Sequence, residues 1–187
     1  MTRVIGGVAR GRRLRVPTDG TRPTSDRARE AVFSSLESLR GPAWAESTVL
    51  DLYAGSGALG LEALSRGADR VDLVESDRRA VRVIQANVAV VTPVPGTAHV
   101  HASTAERWVL RPPSDVRFDV VFCDPPYALA SESVRSVLAT LLDLGALAPG
   151  AIVVVERPQR EAWSWPPGLR QVKDRRYGEA HIWMAQV

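Results

Sequence analysis

Residues 50–60 read "LDLYAGSGALG". An apolar run of strand length, "STVLDLYA", leads into Gly55, Gly57 and Gly60 in the pattern GxGxxG, and the helical run "ALGLEALSRG" follows, ended by Gly67. Small residues in a strand-to-helix turn let the backbone approach a ligand closely and leave amides pointing outward. A lone GxGxxG is weak, because a tight turn needs glycines without any ligand, so the fold is decided by what surrounds it. "DRVDLVES" is a second strand and "DRRAVRVIQANVAVV" a second helix; "GTAHVHAS", "AERWVLRP", "FDVVFCD", "SESVRSVLATLLDLGAL" and "GAIVVVER" continue the alternation. The tail "LRQVKDRRYGEAHIWMAQV" has no helix-length pattern and reads as two strands around a turn at Gly178. This order predicts an α/β protein with a mostly parallel, seven-stranded sheet and helices on both faces.

Upstream, "RPTSDRAREAVFSSLESL" offers Thr24 or Ser25 as the N-cap of a helix with Ala28, Val32, Phe33, Leu36 and Leu39 at helical spacing. Before it, "RVIGGVARGRRLRVP" alternates short apolar runs with Gly and Arg and reads as a small β-hairpin. The expected division is a basic N-terminal arm over residues 1–22 and one body over 23–187. A chain of 187 residues supports one sizeable core. No run of about 18 apolar residues exists to span a membrane, and "MTRVIGGVARGRR" lacks a signal-peptide core, so a cytoplasmic protein with no membrane partner is expected. Cys123 is the single cysteine, which excludes an internal disulfide and a multi-cysteine zinc site.

Charge is uneven along the chain. Residues 1–40 hold nine arginines and four acids, a net of +5, which leaves −2 for the remainder of a chain of net +3. A basic segment on a near-neutral body suggests a polyanionic partner, with Arg10, Arg12, Arg13 and Arg22 as candidate RNA contacts.

Two acids narrow the ligand of the glycine loop. Glu75 ends the strand after the loop, where a carboxylate accepts both hydroxyls of a ribose. Asp51 lies inside the first strand, where a dinucleotide fold runs apolar residues because pyrophosphate sits against the loop. An acid there suits a cation. S-adenosylmethionine carries an ammonium, a sulfonium and a ribose diol but no phosphate, and it fits this set better than NAD does.

"DPPY" at residues 124–127 ends the fourth strand of the body. Carboxyl ends of strands are where open α/β sheets bind ligands. Proline cannot donate to a sheet ladder, so Pro125 and Pro126 stop the strand and stiffen the turn. The Asp124 carboxylate and Pro125 carbonyl become two acceptors aimed at one point, and Tyr127 offers a stacking face. Together they recognise a planar amine on a nucleobase and assist its attack on a methyl carbon.

"LDLYAGSGALGLEALSRGA" with "FDVVFCDPPY" resembles a class I S-adenosylmethionine-dependent methyltransferase of the amino-methylating group, with a Rossmann-like fold. With "RVIGGVARGRRL", "RPTSDRAREAVF" and the "YG" near the C-terminus, the chain resembles the RsmD family of 16S ribosomal RNA guanine-N2 methyltransferases, from residue 3 to about 181. The resemblance implies methylation of N2 of one guanine in a small-subunit loop, with 16S rRNA in a 30S particle or assembly intermediate as partner. It implies a cofactor site from Asp51, Ala54, Gly55, Gly57 and Glu75, with Thr24 and Arg27 nearby, and a guanine held by Asp124, Pro125 and Tyr127. Many methyltransferases place an acid after the third strand to bind the adenine amine. This chain reads "HASTAERW", and Ser103, Thr104 or the Ala105 amide is expected in that role.

Other chemistries fit less. Cytosine C5 methylation needs a cysteine nucleophile, and side-chain alternation turns Cys123 away from Asp124. His99, His101 and His181 have no metal-ligand spacing, and no metal is expected. Trp163 and Trp165 read as packing under a loop before they read as RNA-stacking residues. A DNA adenine-N6 methyltransferase shares DPPY but needs more chain to read a duplex. A noncatalytic RNA-binding assembly factor leaves Asp124 and Glu75 idle, and an NAD-dependent oxidoreductase keeps only the glycines. A monomer is the default oligomeric state.

Overall fold

The computed structural model describes residues 2–17, 26–92 and 94–187. A hairpin of β1 (Thr2–Arg3) and β2 (Arg13–Leu14) pairs antiparallel, with Thr2 opposite Leu14. The body follows as α1 (Asp26–Arg40), β3 (Thr48–Leu52), α2 (Ala58–Arg66), β4 (Arg70–Glu75), α3 (Arg78–Val91), β5 (Thr97–Ala102) and α4 (Ala105–Trp108), then β6 (Phe118–Cys123), α5 (Ser131–Asp143), β7 (Leu147–Pro158), β8 (Arg170–Tyr177) and β9 (Ala180–Gln186). The seven body strands form one sheet in the order β5-β4-β3-β6-β7-β9-β8. β3 to β7 are mutually parallel, and β9 is antiparallel to both β7 and β8.

Strand alternation divides the core into two layers. Val49, Val71, Val120 and Phe122 face Phe33, Leu36, Leu61, Leu64 and Ile84 of α1, α2 and α3. Leu50, Leu52, Val121, Cys123 and Val153 face Val134, Leu138 and Leu141 of α5. Central strands covered on both faces are apolar at nearly every position, which is why they read as continuous runs in the sequence. Among the described residues, no helix is long and apolar enough to cross a membrane.

Helix ends follow local chemistry. Asp77 caps α3 by accepting from the Arg79 N–H, and Gly67, at φ 114°, closes α2 by donating to Ala63 and Leu64. "AERWVLRP" forms only the single turn of α4, stopped before Pro112 and Pro113. Leu39, expected on the buried stripe of α1, is 38% exposed; the core contact of that helix ends at Leu36. Thr24 and Ser25 lie outside the described residues.

The hairpin is basic in composition, and its described residues are part of the core by packing. Val4, Ala9 and Leu14 are each 1% exposed and join the cluster under α2 and α3. The Ile5 and Gly6 N–H groups donate at 2.7 Å to the buried Glu62 carboxylate, which also pairs with Arg66 at 2.9 Å. Arg12, one of the expected RNA contacts, is exposed and also engaged within the fold. Its Nη1 donates to the Val90, Val91 and Thr92 carbonyls at 2.6, 3.1 and 3.0 Å, so it caps the C-terminus of α3. Arg10 and Arg13 are exposed, and Arg22 lies outside the described residues.

Candidate active site

From β3 the chain builds outward through β4 and β5 on one side and returns through β6 and β7 on the other. The carboxyl ends of β3 and β6 therefore flank the topological switch point, where α/β sheets open a crevice. Leu52 lies opposite Cys123, so the loops starting at Tyr53 and Asp124 leave the sheet at the same level.

Three of the five residues 53–57 adopt left-handed backbone: Tyr53 at φ 60°, Gly55 at 58° and Gly57 at 76°. For Tyr53 this conformation costs on the order of 1–3 kcal/mol, which its surroundings must offset. Its hydroxyl donates to Glu106 Oε1 at 3.0 Å, and its ring packs against the α5-side core. The Gly55 N–H donates to Glu75 Oε2 at 2.8 Å, while a Cβ added at Gly55 would meet only the Tyr53 carbonyl oxygen, at 4.0 Å. Gly60 is a packing glycine: a Cβ there would lie 2.8 Å from Val71 Cγ1 and 3.1 Å from Asp51 Oδ2.

The acids are arranged by depth. Asp51 is 1% exposed, and its Oδ2 accepts from the Gly60 N–H at 2.9 Å. It braces the start of α2 and offers the site no exposed acceptor. Burial raises its pKa well above the ordinary carboxylate range, and the nearby Asp124 and Glu75 carboxylates raise it further. Glu75 uses Oε2 for Gly55, and Oε1 for the Asp77 N–H at 2.8 Å and the Ser76 hydroxyl at 3.4 Å, leaving a second lone pair on Oε2. The Glu75 and Asp124 carboxylates, with the Asp51 carboxyl buried behind them, repel phosphate and favour a cation.

A cavity of about 370 Å³ opens beside this loop. Tyr53, Val74, Glu75 and Ser76 form one wall, Ser103, Thr104, Ala105 and Glu106 the second, and Pro126, Ala128 and Leu129 the third. The structure thus brings Glu75, Ser103, Thr104, Ala105 and Pro126 together around one space. Asp51, Ala54, Gly55 and Gly57 support it from the loop without lining it. The Thr104 hydroxyl is engaged as the α4 cap, accepting from the Arg107 N–H at 3.3 Å. Arg27, grouped with these residues by sequence, instead lines a separate cleft with Arg3, Arg10, Asp26 and Glu30. Thr24 lies outside the described residues. Tyr53 and Glu106 were missed. The signal was an aromatic inside the glycine motif and an acid four residues beyond β5 in "HASTAERW".

Asp124 to Tyr127 leave β6 as a turn that the Leu129 N–H closes onto the Pro126 carbonyl at 2.9 Å. Tyr127 is 48% exposed and available as a stacking face. Burial raises the pKa of its hydroxyl, and the acids Glu156, Asp124 and Glu179 add to the rise. Cys123 is buried on the α5 side, and burial pushes its thiol far above its ordinary value, followed by the effect of Asp124. An inert thiol does not serve as a nucleophile.

The turn is held from below by Arg157, 1% exposed at the end of β7. Its Nη2 donates to the Leu129 carbonyl at 2.5 Å and to both Glu161 oxygens at 2.9 and 2.8 Å, and Glu161 accepts from the Ser131 hydroxyl at the start of α5. Burial alone would raise the Glu161 carboxyl, but the hydrogen bonds from Arg157 and Ser131 hold it below its ordinary value. His101 and His181 are paired with Asp72 at 2.7 Å and Asp174 at 2.8 Å. Among the described residues, no cluster of three or more His, Cys, Asp or Glu side chains is placed to hold a metal. Trp163 and Trp165 meet edge to face at 5.4 Å and pack against the α5-side core.

The family described as "Conserved hypothetical protein 95" matches residues 2–186. Ribosomal RNA small subunit methyltransferase D of Escherichia coli (strain K12) is 41% identical over 157 residues, covering 82% of this chain and 73% of that protein. The protein of the same name from Haemophilus influenzae is 32% identical over 177 residues, covering 94% and 89%. A solved structure titled "Putative methyltransferase yhhF from Escherichia coli" superposes with a TM-score of 0.82 at 35% identity, covering 99% of this chain and 97% of that one. The shared architecture is the class I methyltransferase fold.

Proposed function

Because the chain belongs to the conserved hypothetical protein 95 family, the RsmD family, we propose that it methylates the exocyclic N2 amine of a guanine in 16S rRNA, with S-adenosylmethionine as donor. The observation that carries this reading is the meeting, at one switch point, of the Glu75 cavity with the Asp124–Tyr127 turn. Bound S-adenosylmethionine supplies an electrophilic methyl group on a sulfonium.

The residues divide the work. The Glu75 carboxylate, with Oε2 the less engaged oxygen, accepts from the ribose diol, and Ser103, Thr104 and Ala105 flank the adenine end of the cavity. Gly55 and Gly57 keep the loop backbone open to the ligand, Glu75 and Asp124 hold the field negative around a cation, and Asp51 braces the loop behind them. Asp124 and the Pro125 carbonyl take the two hydrogens of the guanine amine, which directs its nitrogen at the methyl carbon. Tyr127 stacks on the guanine ring, and Pro126 fixes the turn between them. The displaced proton leaves to water or to Asp124.

In this reading residues 1–22 are the rRNA-contacting arm, with Arg10, Arg12, Arg13 and Arg22 meeting phosphate, and residues 23–187 are the methyltransferase body. The substrate is 16S rRNA within a 30S subunit or assembly intermediate, and the enzyme acts as a cytoplasmic monomer. Transfer of labelled methyl from S-adenosylmethionine to 30S subunits from a strain lacking this gene tests it, beside naked 16S RNA and DNA. Label recovered as N2-methylguanosine from 30S is the expected result. Label confined to DNA adenine would overturn the substrate and leave the chemistry standing.

A further inference from the structure

The sheet has two open edges, and they differ in charge. β5 presents "TAHVHA", without an acid, lysine or arginine, whereas β8 presents Arg170, Lys173, Arg175 and Arg176 against the single acid Asp174. Charges on an edge strand deter edge-to-edge pairing. That service would be needed equally at β5, which lacks them, so it does not account for the asymmetry.

The β8 cations also differ from the arginines that the fold ties to carboxylates. Arg29, Arg66, Arg70, Arg135 and Arg157 each pair with a carboxylate. Among the described residues, Arg170, Lys173, Arg175 and Arg176 form no salt bridge, and Asp174 is held at 2.8 Å by His181. Four unpaired cations on one strand leave a field that a polyanion answers.

Position gives that field a purpose. β8 runs in the same direction as β7, so Arg175, Arg176 and Tyr177 arrive at the carboxyl end of the sheet, where Asp124 lies. The turn after β8 is tied to the end of β7 by the Gln159 N–H donating to the Glu179 carbonyl at 2.7 Å. The flank of β8 lies against Ala31, Val32 and Ser35 of α1. The first residue of that same helix, Asp26, accepts from the Thr2 hydroxyl at 2.8 Å and so holds the hairpin. The hairpin arginines and the β8 arginines thus sit at two stations along α1.

Resting on the proposed rRNA methyltransferase reading, we propose that β8 is a second RNA-contact surface. Arg170, Lys173, Arg175 and Arg176 bind backbone phosphates of the RNA whose target base enters the Asp124–Tyr127 turn. Contacts of this kind are independent of sequence and steep in salt. The guanidinium fork suits phosphate oxygens.

The test is the affinity of the full chain for 16S rRNA across a salt series, with S-adenosylmethionine affinity and Tm measured in parallel. Arg175→Glu/Arg176→Glu should weaken RNA binding by about tenfold or more near 0.1 M salt and flatten the log Kd against log salt slope by roughly 1.5. Cofactor affinity and Tm should not change. Arg111→Glu/Arg117→Glu carries the same charge change in the loop before β6, at the opposite end of the sheet. It should give less than half of either effect. If the acidic pair fails to fold, Arg175→Gln/Arg176→Gln asks the same question with a slope change near 1.5. Equal loss from both pairs of substitutions, or unchanged binding in the β8 variant, would overturn the proposal. A wild-type chain that bound no RNA at any salt would instead defeat the rRNA reading itself, and this surface with it.

Discussion

Gly60 sits where two effects of known size oppose each other. Alanine is favoured over glycine in a helix by about 1 kcal/mol, yet its Cβ would stand 2.8 Å from Val71 Cγ1 and 3.0 Å from Leu73 Cδ2, both on β4. Overpacking of this kind costs about 1–3 kcal/mol, so Gly60→Ala should be destabilising, with Tm lowered by roughly 2–4 °C per net kcal/mol. Asp51 gives a pH-dependent case. An unfolded aspartate titrates near 3.8, and burial, then Asp124 and Glu75, hold the folded group well above that. Below 3.8 both states keep the proton; above it the unfolded chain ionises first, so ionisation works against the fold as pH rises through the folded value. Asp51→Asn should therefore raise the urea midpoint at pH 8 and match the native chain by about pH 4. A midpoint gain that persisted undiminished at low pH would show that repacking, not charge, was responsible. The division of roles has its own measurement. Asp124→Ala should lower kcat by about 10²-fold with cofactor affinity nearly unchanged, and Glu75→Ala should mainly weaken cofactor binding; equal effects of both variants on both parameters would defeat it. At this scale the places of the glycine turn, of Glu75 at a strand end and of the DPPY turn were legible, because each is marked by its own residue type. Tyr53 and Glu106 were not, since a left-handed tyrosine is tolerated only through a partner 53 residues away.

At the scale of elements, the Asp124–Tyr127 turn owes its position to the strand beside it. Arg157 is the guanidinium that links the end of β7 to the Leu129 carbonyl and, through Glu161 and Ser131, to the start of α5. Arg157→Met removes these bonds while keeping an apolar stem of similar length. Glu161 is 28% exposed and can regain water, so the stability loss should be about 1–3 kcal/mol rather than the larger cost of a fully buried pair. The activity loss should be a fall of about tenfold in kcat with cofactor affinity retained, read by steady-state kinetics beside calorimetric titration. A parallel loss of cofactor affinity would place Arg157 under the whole site instead of under the turn. Strands were the easiest elements to read, since coverage on both faces makes β3, β6 and β7 nearly continuous apolar runs. α4 was read too long because "AERWVLRP" has helical spacing, but only its first turn is capped, by Thr104. The Arg157 bond to the Leu129 carbonyl links residues 28 apart and leaves no periodic trace in the sequence.

For the molecule as a whole, the N-terminal hairpin is where composition and packing part company. Its arginines mark it as a detachable basic arm, but Val4, Ala9 and Leu14, hidden between those arginines, are core residues. Burial of a valine or leucine side chain is worth about 1.5–3 kcal/mol, so Val4 and Leu14 together contribute about 3–6 kcal/mol. Removing the hairpin also strips two N–H donors from Glu62, which is fully buried. A domain has only about 5–15 kcal/mol to lose. A chain lacking residues 2–17 should accordingly lose most of its cooperative unfolding transition, and any fall in RNA binding it showed would report misfolding. Arg10→Ala/Arg13→Ala changes exposed side chains only. That variant should keep its stability within about 0.5 kcal/mol, while its affinity for 16S rRNA falls and the salt dependence flattens by roughly 1.5. Calorimetry of the truncated chain beside RNA titration of the double variant separates the two functions of one segment. A truncated chain with native Tm would mean that the hairpin rests on the body without supporting it. A double variant with native salt dependence would mean that its arginines face solvent and not phosphate.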